Sequence, residues 1–302
     1  MNATFIDTLP RDLVVNVRSM CGASGDGWLR RLPDMIAHLE NEWNIRAGEV
    51  FAASGINYVA RATGLSGEPL VLKVSPPYDN KEFETEAVYL RACGGDGCVK
   101  LYQIEGDRRA MLIERAVPGV NFADEFAGRQ LDAIAPAIDL LRCIRRVRAT
   151  SDDVIYLKDW FANLERSFES DFPHAYAEKA LEIYGRLSKA RDHYLHGDFH
   201  PGNMVTATRE RFLLIDPKGI VGPLGYDIAV FLNNFHWWLD DRADVKHRLR
   251  VAVDAFAAAF RIPERELREW AFAQMVLSAW WMFDEVTSEY DNHVAKADVW
   301  DV

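Results

Sequence analysis

The chain lacks most of the features that assign a protein to a class at a glance. Its four cysteines, Cys21, Cys93, Cys98 and Cys143, form no C-x-x-C pair and no regular framework. That excludes a disulfide scaffold and a zinc ribbon, and leaves reduced thiols as the expectation. No uncharged stretch reaches the roughly 20 residues that cross a bilayer. Asp7, Arg11 and Asp12 interrupt Met1 to Val17, where a leader would need an unbroken apolar run, so a soluble cytoplasmic protein is expected. Dense positive charge is lacking too. The formal charge of −11 repels nucleic acid and suits a cationic partner. Arg142, Arg145, Arg146 and Arg148 are the one basic run, and at helical spacing they read as a solvated face.

Several catalytic signatures are missing as well. There is no Walker loop and no G-x-G-x-x-G, no H-E-x-x-H, and no G-x-S-x-G around Ser188 or Ser278. Disorder is excluded by the 49% hydrophobic content, and 302 residues suit two lobes sharing one site better than one small domain.

What is present is concentrated in one stretch, His196-Gly197-Asp198-Phe199-His200-Pro201-Gly202-Asn203, followed by Leu213-Leu214-Ile215-Asp216. Phosphoryl transfer needs one carboxylate to align the attacking hydroxyl, and a second carboxylate with an amide to hold a divalent metal on the nucleotide. Asp198, Asn203 and Asp216 can fill these roles. Gly197, Pro201 and Gly202 make the segment from Asp198 to Asn203 a tight loop, so both side chains can face one volume. Short apolar runs at Tyr194-Leu195, Met204-Val205 and Phe212 to Ile215 read as strands, and the polar turn from Thr206 to Arg211 brings Asp216 back beside Asn203. His196-x-Asp198-x-His200 also invites a metal reading, but the loop residues argue against it and a structural His196 is expected.

Upstream, Trp28, Leu29, Leu32, Ile36, Leu39 and Trp43 recur at helical spacing, which predicts an amphipathic helix with Pro33 near its start. Val50 to Ala53, Tyr58 to Ala62 and Leu70 to Val74 then read as an antiparallel meander. A helix is expected from about Lys81 to Ala92 and a strand at Ala110 to Glu114. After Asp124 the pattern is helical: Leu131 to Ala149, Trp160 to Phe168, Tyr176 to Ala190, Gly225 to Leu239, Val245 to Phe260 and Glu264 to Val286.

The loop resembles the catalytic loop of the protein-kinase-like fold in its aminoglycoside phosphotransferase branch, where H-G-D-x-x-x-x-N is found. Ile215-Asp216-Pro217-Lys218-Gly219 and Tyr226-Asp227-Ile228-Ala229 resemble the streptomycin 6-phosphotransferase and hydroxyurea phosphotransferase group. Trp28-Leu29, Leu32-Pro33, Glu114-Arg115, Pro118-Gly119 and Trp160-Phe161 agree with it. The resemblance implies an α+β, bilobal fold, with a nucleotide-binding lobe over residues 1–115 and a catalytic, acceptor-binding lobe over 116–302. It implies ATP or GTP with Mg2+, and a small cationic acceptor such as an aminoglycoside. Neither nucleic acid nor membrane is an expected partner, and the protein is expected as a monomer or weak dimer.

Carried over residue by residue, the resemblance makes Asp198 the catalytic carboxylate and Asn203 and Asp216 the metal ligands. It gives Lys73 to the α and β phosphates, with Glu86 as the acid that holds it and Glu82 and Glu84 as alternatives. Gly55 and Asn57 of a single-glycine turn would cover the phosphates, and backbone groups from Glu114 to Ala116 would meet adenine. Lys218 would neutralise charge on the transferred group or make a structural ion pair. Asp227 would brace the loop. For the acceptor, the chain from Pro263 to Val302 carries nine acids against three bases, and Trp281, Asp284 and Glu285 are the candidate contacts. A metabolic small-molecule kinase of the same fold and a non-catalytic pseudokinase are the alternatives.

Overall fold

The structure is a computed structural model, and it describes residues 5–302 apart from 53–54, 79–80, 150–153, 191, 238–243 and 285–289. Helix α1 (Arg11–Glu42) leads into β1 (Ile45–Val50), β2 (Tyr58–Gly64) and β3 (Pro69–Val74). Helix α2 (Glu82–Cys93), β4 (Leu101–Glu105) and β5 (Ala110–Glu114) complete an antiparallel sheet in the order β1-β2-β3-β5-β4.

Alternation along β3 and β5 decides what each face of this sheet does. Leu70, Leu72, Val74, Ala110 and Leu112 join a core with Leu13, Val17, Trp28, Leu29, Leu32 and Leu39 of α1. Val71, Met111 and Ile113 point the other way, into the larger core with Phe83, Ala87 and Leu90 of α2. Lys73 pairs with Val59 and Met111 in register, so it shares this inner face. A lysine on the covered face, only 5% exposed, is not an edge residue reaching for water.

Two sequence expectations shift here. Helix α1 begins at Arg11 and is kinked at Gly22 (φ 52°, ψ −133°), so Pro33 lies well inside it rather than near its start. Leu13, Val14 and Val17 already bury at helical spacing, and the glycine break hides that continuity. The first strand is Ile45–Val50 rather than Val50 to Ala53; as an edge strand it buries Ile45 fully and shows little alternation. Ala53 lies outside the described residues.

Strand β6 (Pro118–Asn121) and helix α3 (Phe122–Glu125) follow the first sheet. Then come α4 (Ile134–Ile144), β7 (Ile155–Tyr156), α5 (Leu157–Leu164) and α6 (His174–Leu187). Strands β8 (Asp192–Leu195), β9 (Met204–Ala207), β10 (Phe212–Leu214) and β11 (Ile220–Pro223) carry the loop region. Helices α7 (Gly225–Trp237), α8 (Val245–Phe260), α9 (Glu264–Asp284) and α10 (Tyr290–Ala295) close the chain. The helix expected from Leu131 starts instead at Ile134, with a 3-10 turn over Gln130–Ala133, as suits Pro136 in a first turn. The expected ends at Leu239 and Val286 lie outside the described residues.

Two small sheets, β10-β9-β6 and β7-β11-β8, place the loop between their ends. The buried helix α9 anchors α6, α7 and the chain end through Trp270, Phe272, Met275 and Trp280. Among the described residues no helix is long and apolar enough to cross a membrane.

Candidate active site

The loop after β8 is built on one buried carboxylate. Asp227, near the start of α7 and 1% exposed, accepts the backbone N–H of His196 at 2.9 Å and of Gly197 at 2.8 Å. The His196 ring is fully buried beneath the loop. Its Nε2 lies 3.1 Å from Ile215 O, and its Nδ1 accepts the Asp198 N–H at 3.2 Å. Its carbonyl takes the N–H of Lys218 at 2.7 Å and of Gly219 at 3.3 Å. One histidine thus fastens the Asp198 loop to the Asp216 segment, a structural role and not a metal ligand. Gly197 has φ 80°, and a Cβ there would sit 3.0 Å from that of Lys218.

Within the loop, Asn203 Nδ2 donates to Asp198 O at 3.0 Å and to Asp198 Oδ2 at 2.9 Å. That orients the amide and leaves Asn203 Oδ1 as an acceptor. His200 Nε2 is 3.4 Å from Asp198 Oδ2. The β9–β10 hairpin, paired from Met204 to Leu214, then delivers Asp216, and Ile215 N–H bonds back to Asn203 O at 3.0 Å. Asp216 itself has φ 58°. A left-handed aspartate stores strain that the surrounding bonds must hold, a pattern concentrated at functional sites.

Across the cleft, Lys73 Nζ bonds Glu86 Oε2 at 2.6 Å and also meets Asp216 Oδ1. Of the three acids offered by α2, Glu86 is therefore the lysine's partner. Glu82 instead lies 3.2 Å from Lys218, and Glu84 holds Arg109 at 2.8 Å. Lys218 Nζ is also 3.8 Å from Asp216 Oδ2, so Asp216 stands between two ammonium groups. Gly219 (φ 61°) lets this segment touch α2, because a Cβ would fall 2.6 Å from Thr85 O.

These contacts fix the charges. Lys73 holds Asp216 well below the ordinary carboxylate range, with Lys218 adding to it against burial. Burial opposes the Lys73 ammonium, but Asp216 and Glu86 outweigh it and keep its pKa above normal. Burial likewise opposes Lys218, and Asp216, Glu82 and Asp198 overcome it. Burial would raise Asp198, yet the His200 ring, Lys218 and His196 bring it below its ordinary value. Glu86 is pushed up to about 7 by burial, only part of which Lys73 offsets; its Oε1 has no hydrogen-bond partner among the described residues. Burial lowers His196 to about 4, so the ring is neutral at pH 7.

Asn57 joins Ile56, Lys73, Glu82, Glu86 and Lys218 around a cavity at the inner end of the cleft. Gly55 (φ 60°) caps the turn before it, its carbonyl accepting Asn16 Nδ2 from α1 at 3.3 Å. At the end of β5, the Glu114 N–H is spent on Lys100 O at 2.8 Å and the Arg115 N–H on Pro69 O at 3.3 Å. Of the stretch offered to adenine, only Ala116 keeps its N–H outside these pairings. Asp284 is not a free acid: Arg166 binds it at 3.3 and 3.4 Å. Trp281 packs edge-on against Trp160 with centroids 5.2 Å apart. Glu285 lies outside the described residues. Sequence reasoning missed Arg209, whose contacts with Glu114, Cys98 and Gly95 reach 95 or more residues back, and the pairing of His200 with Asp198, for which H-x-D-x-H was the available signal.

Comparison with known proteins agrees with this geometry. The aminoglycoside/hydroxyurea antibiotic resistance kinase family matches residues 43–286. The chain is similar to a streptomycin 6-kinase of Streptomyces griseus, 22% identical over 322 positions that cover 96% of each chain. It is also similar to a hydroxyurea phosphotransferase of Kitasatospora aureofaciens, 26% identical over 308 positions, covering 96% of this chain and 85% of that protein. Among solved structures, the aminoglycoside phosphotransferase APH(4)-Ia superposes with a TM-score of 0.64 at 14% identity, covering 89% of this chain and 97% of that one. The choline kinase LicA of Streptococcus pneumoniae gives 0.64 at 11%, covering 90% and 99%. These two likenesses show the bilobal kinase-like fold. With most of its length spanned by the family match, the protein is a phosphotransferase of the aminoglycoside/hydroxyurea antibiotic resistance kinase family.

Proposed function

We propose that this chain transfers the γ-phosphoryl group of ATP to a hydroxyl of a small cationic acceptor, an aminoglycoside such as streptomycin. The observation that carries the reading is the unbroken network from Glu86 through Lys73 to Asp216, with Asn203 and Asp198 beside it. In this reading residues 1–115 serve the nucleotide and 116–302 serve catalysis and the acceptor.

The donor set fits Mg2+ with nucleotide phosphates. Asp216 and Asn203 Oδ1 would offer hard oxygen ligands on one side of the cleft, and Lys73 and Lys218 would offer ammonium groups to phosphate oxygens. A magnesium ion held there would neutralise charge on the phosphates. Asp198, ionised at neutral pH and fixed by Asn203, orients the acceptor hydroxyl and takes its proton as the oxygen bonds to phosphorus. The bond from the γ-phosphorus to the bridging oxygen breaks as the new one forms, and ADP leaves; Lys73 steadies the phosphates, and Lys218 compensates charge on the transferred group.

The acceptor class rests on charge and on relatives. Near the carboxy terminus acids outnumber bases by six, which favours a cationic ligand, and the relative from Streptomyces griseus is named a streptomycin 6-kinase. A hydroxyurea-type acceptor is the second reading, favoured by the relative at 26% identity. Transfer of radiolabelled γ-phosphate from ATP to streptomycin and to hydroxyurea, with Asp198→Asn as control, separates the two. Absence of label on any hydroxyl compound, with nucleotide bound, would sink both.

A further inference from the structure

We infer that Arg209 is a positioning residue for the nucleotide, latching the end of β5 to the hairpin that bears Asn203 and Asp216. The inference rests on the phosphotransfer reading above. Arg209 sits in the polar turn between β9 and β10, far from Glu114 in sequence. Its Nε and Nη2 nevertheless grip the two oxygens of the Glu114 carboxylate at 3.1 and 2.9 Å. The same guanidinium donates to Gly95 O at 2.6 Å and Cys98 O at 2.9 Å, and also meets Glu210. A planar fork with five donors is the side chain suited to such a junction, and lysine cannot reproduce it.

The three segments it joins all bear on the cleft. Glu114 is the last residue of β5, immediately before the stretch proposed for adenine, and its carboxylate also accepts the Lys100 N–H at 3.0 Å. Residues 97–99 run beside β10: Leu214 N–H bonds Gly97 O at 2.9 Å, and Val99 N–H bonds Leu214 O at 3.0 Å. Two residues further on stands Asp216. One side chain therefore sets the distance between the adenine end of the cleft and the phosphate end. Arg209 is 27% exposed and touches neither Asp198 nor Lys73, so it acts through the backbone it holds.

Titration with the non-hydrolysable analogue adenylyl-imidodiphosphate, with magnesium, tests this. Arg209→Met is expected to weaken binding about ten-fold, Glu114→Gln by less, and Arg209→Lys to recover part of the loss. With streptomycin as acceptor, KM for ATP should rise while KM for streptomycin stays unchanged. Should Arg209→Met fail to fold, Arg209→Lys and Glu114→Gln carry the test. Unaltered nucleotide affinity in the folded variants, or a loss that only follows a falling melting temperature, overturns the latch while the phosphotransfer reading stands. Wild-type protein that binds no nucleotide overturns both.

Discussion

The two walls of the cleft are held by different forces. On the sheet side, Lys73 is placed by the register of β3 and then fixed by ionic contacts with Glu86 and Asp216. On the loop side, Asp198 and Asn203 stand on backbone that Asp227 and His196 tie down through N–H and carbonyl groups. The first arrangement depends on charge, the second on geometry. Changes to the sheet side should therefore cost turnover with little stability, whereas changes beneath the loop should cost stability first.

The sharpest test is Asp198→Asn, which keeps shape and removes the proton acceptor. Turnover should fall about 1,000-fold with KM for ATP nearly constant, read in a steady-state assay. Next, Asp227→Ala strands two buried N–H groups and should cost about 3 kcal/mol in urea unfolding. Asp227→Asn should do little better, because its amide presents a donor to one of those donors.

The neutral His196 adds a pH signature of similar size. Its folded pKa of about 4 lies below the ordinary 6.5, so the unfolded chain binds the extra proton. Stability from this group is complete above pH 6.5 and is lost as pH falls toward 4, by about 3 kcal/mol. In His196→Gln that contribution should vanish, and the gap between variant and wild type should narrow on acidification.

Lys73→Met should slow turnover about 100-fold yet melt near wild type. Glu86, already pushed up to about 7, can take a proton once its partner is gone. If this variant instead proved as unstable as Asp227→Ala, the contrast between the walls would fail. Smallest of all, Arg166→Ala breaks a surface pair with Asp284 and should change stability by less than about 1 kcal/mol. A raised KM for streptomycin alone would support Asp284 as an acceptor contact.

How much of this was legible depended on how far apart the partners lie in the chain. The Asp198 loop could be read because its acid, amide and turn residues fall within eight positions, and the hairpin to Asp216 is similarly local. The long helices were legible from their periodicity. The resemblance selects Glu86 over Glu82 and Glu84, and the pairing of Glu86 with Lys73 agrees; spacing alone could not decide, since Glu82 and Glu86 share a helix face and the fold sends one to Lys218 and the other to Lys73. The pairing of Asp284 with Arg166, 118 residues earlier, was not legible, because a count of acids and bases cannot show which of them meet. Arg209 looked like an ordinary turn residue for the same reason.

The inner face of the first sheet shares its core with the helical part of the chain, through Val71, Met111, Ile113, Phe83 and Leu90. The boundary between the two cores therefore runs through the thickness of the sheet, not along the covalent join near residue 115. A fragment cut at that join would leave a row of large apolar side chains facing water and would not survive as an independent unit. Heating the intact molecule should accordingly melt both halves together, in a single cooperative step.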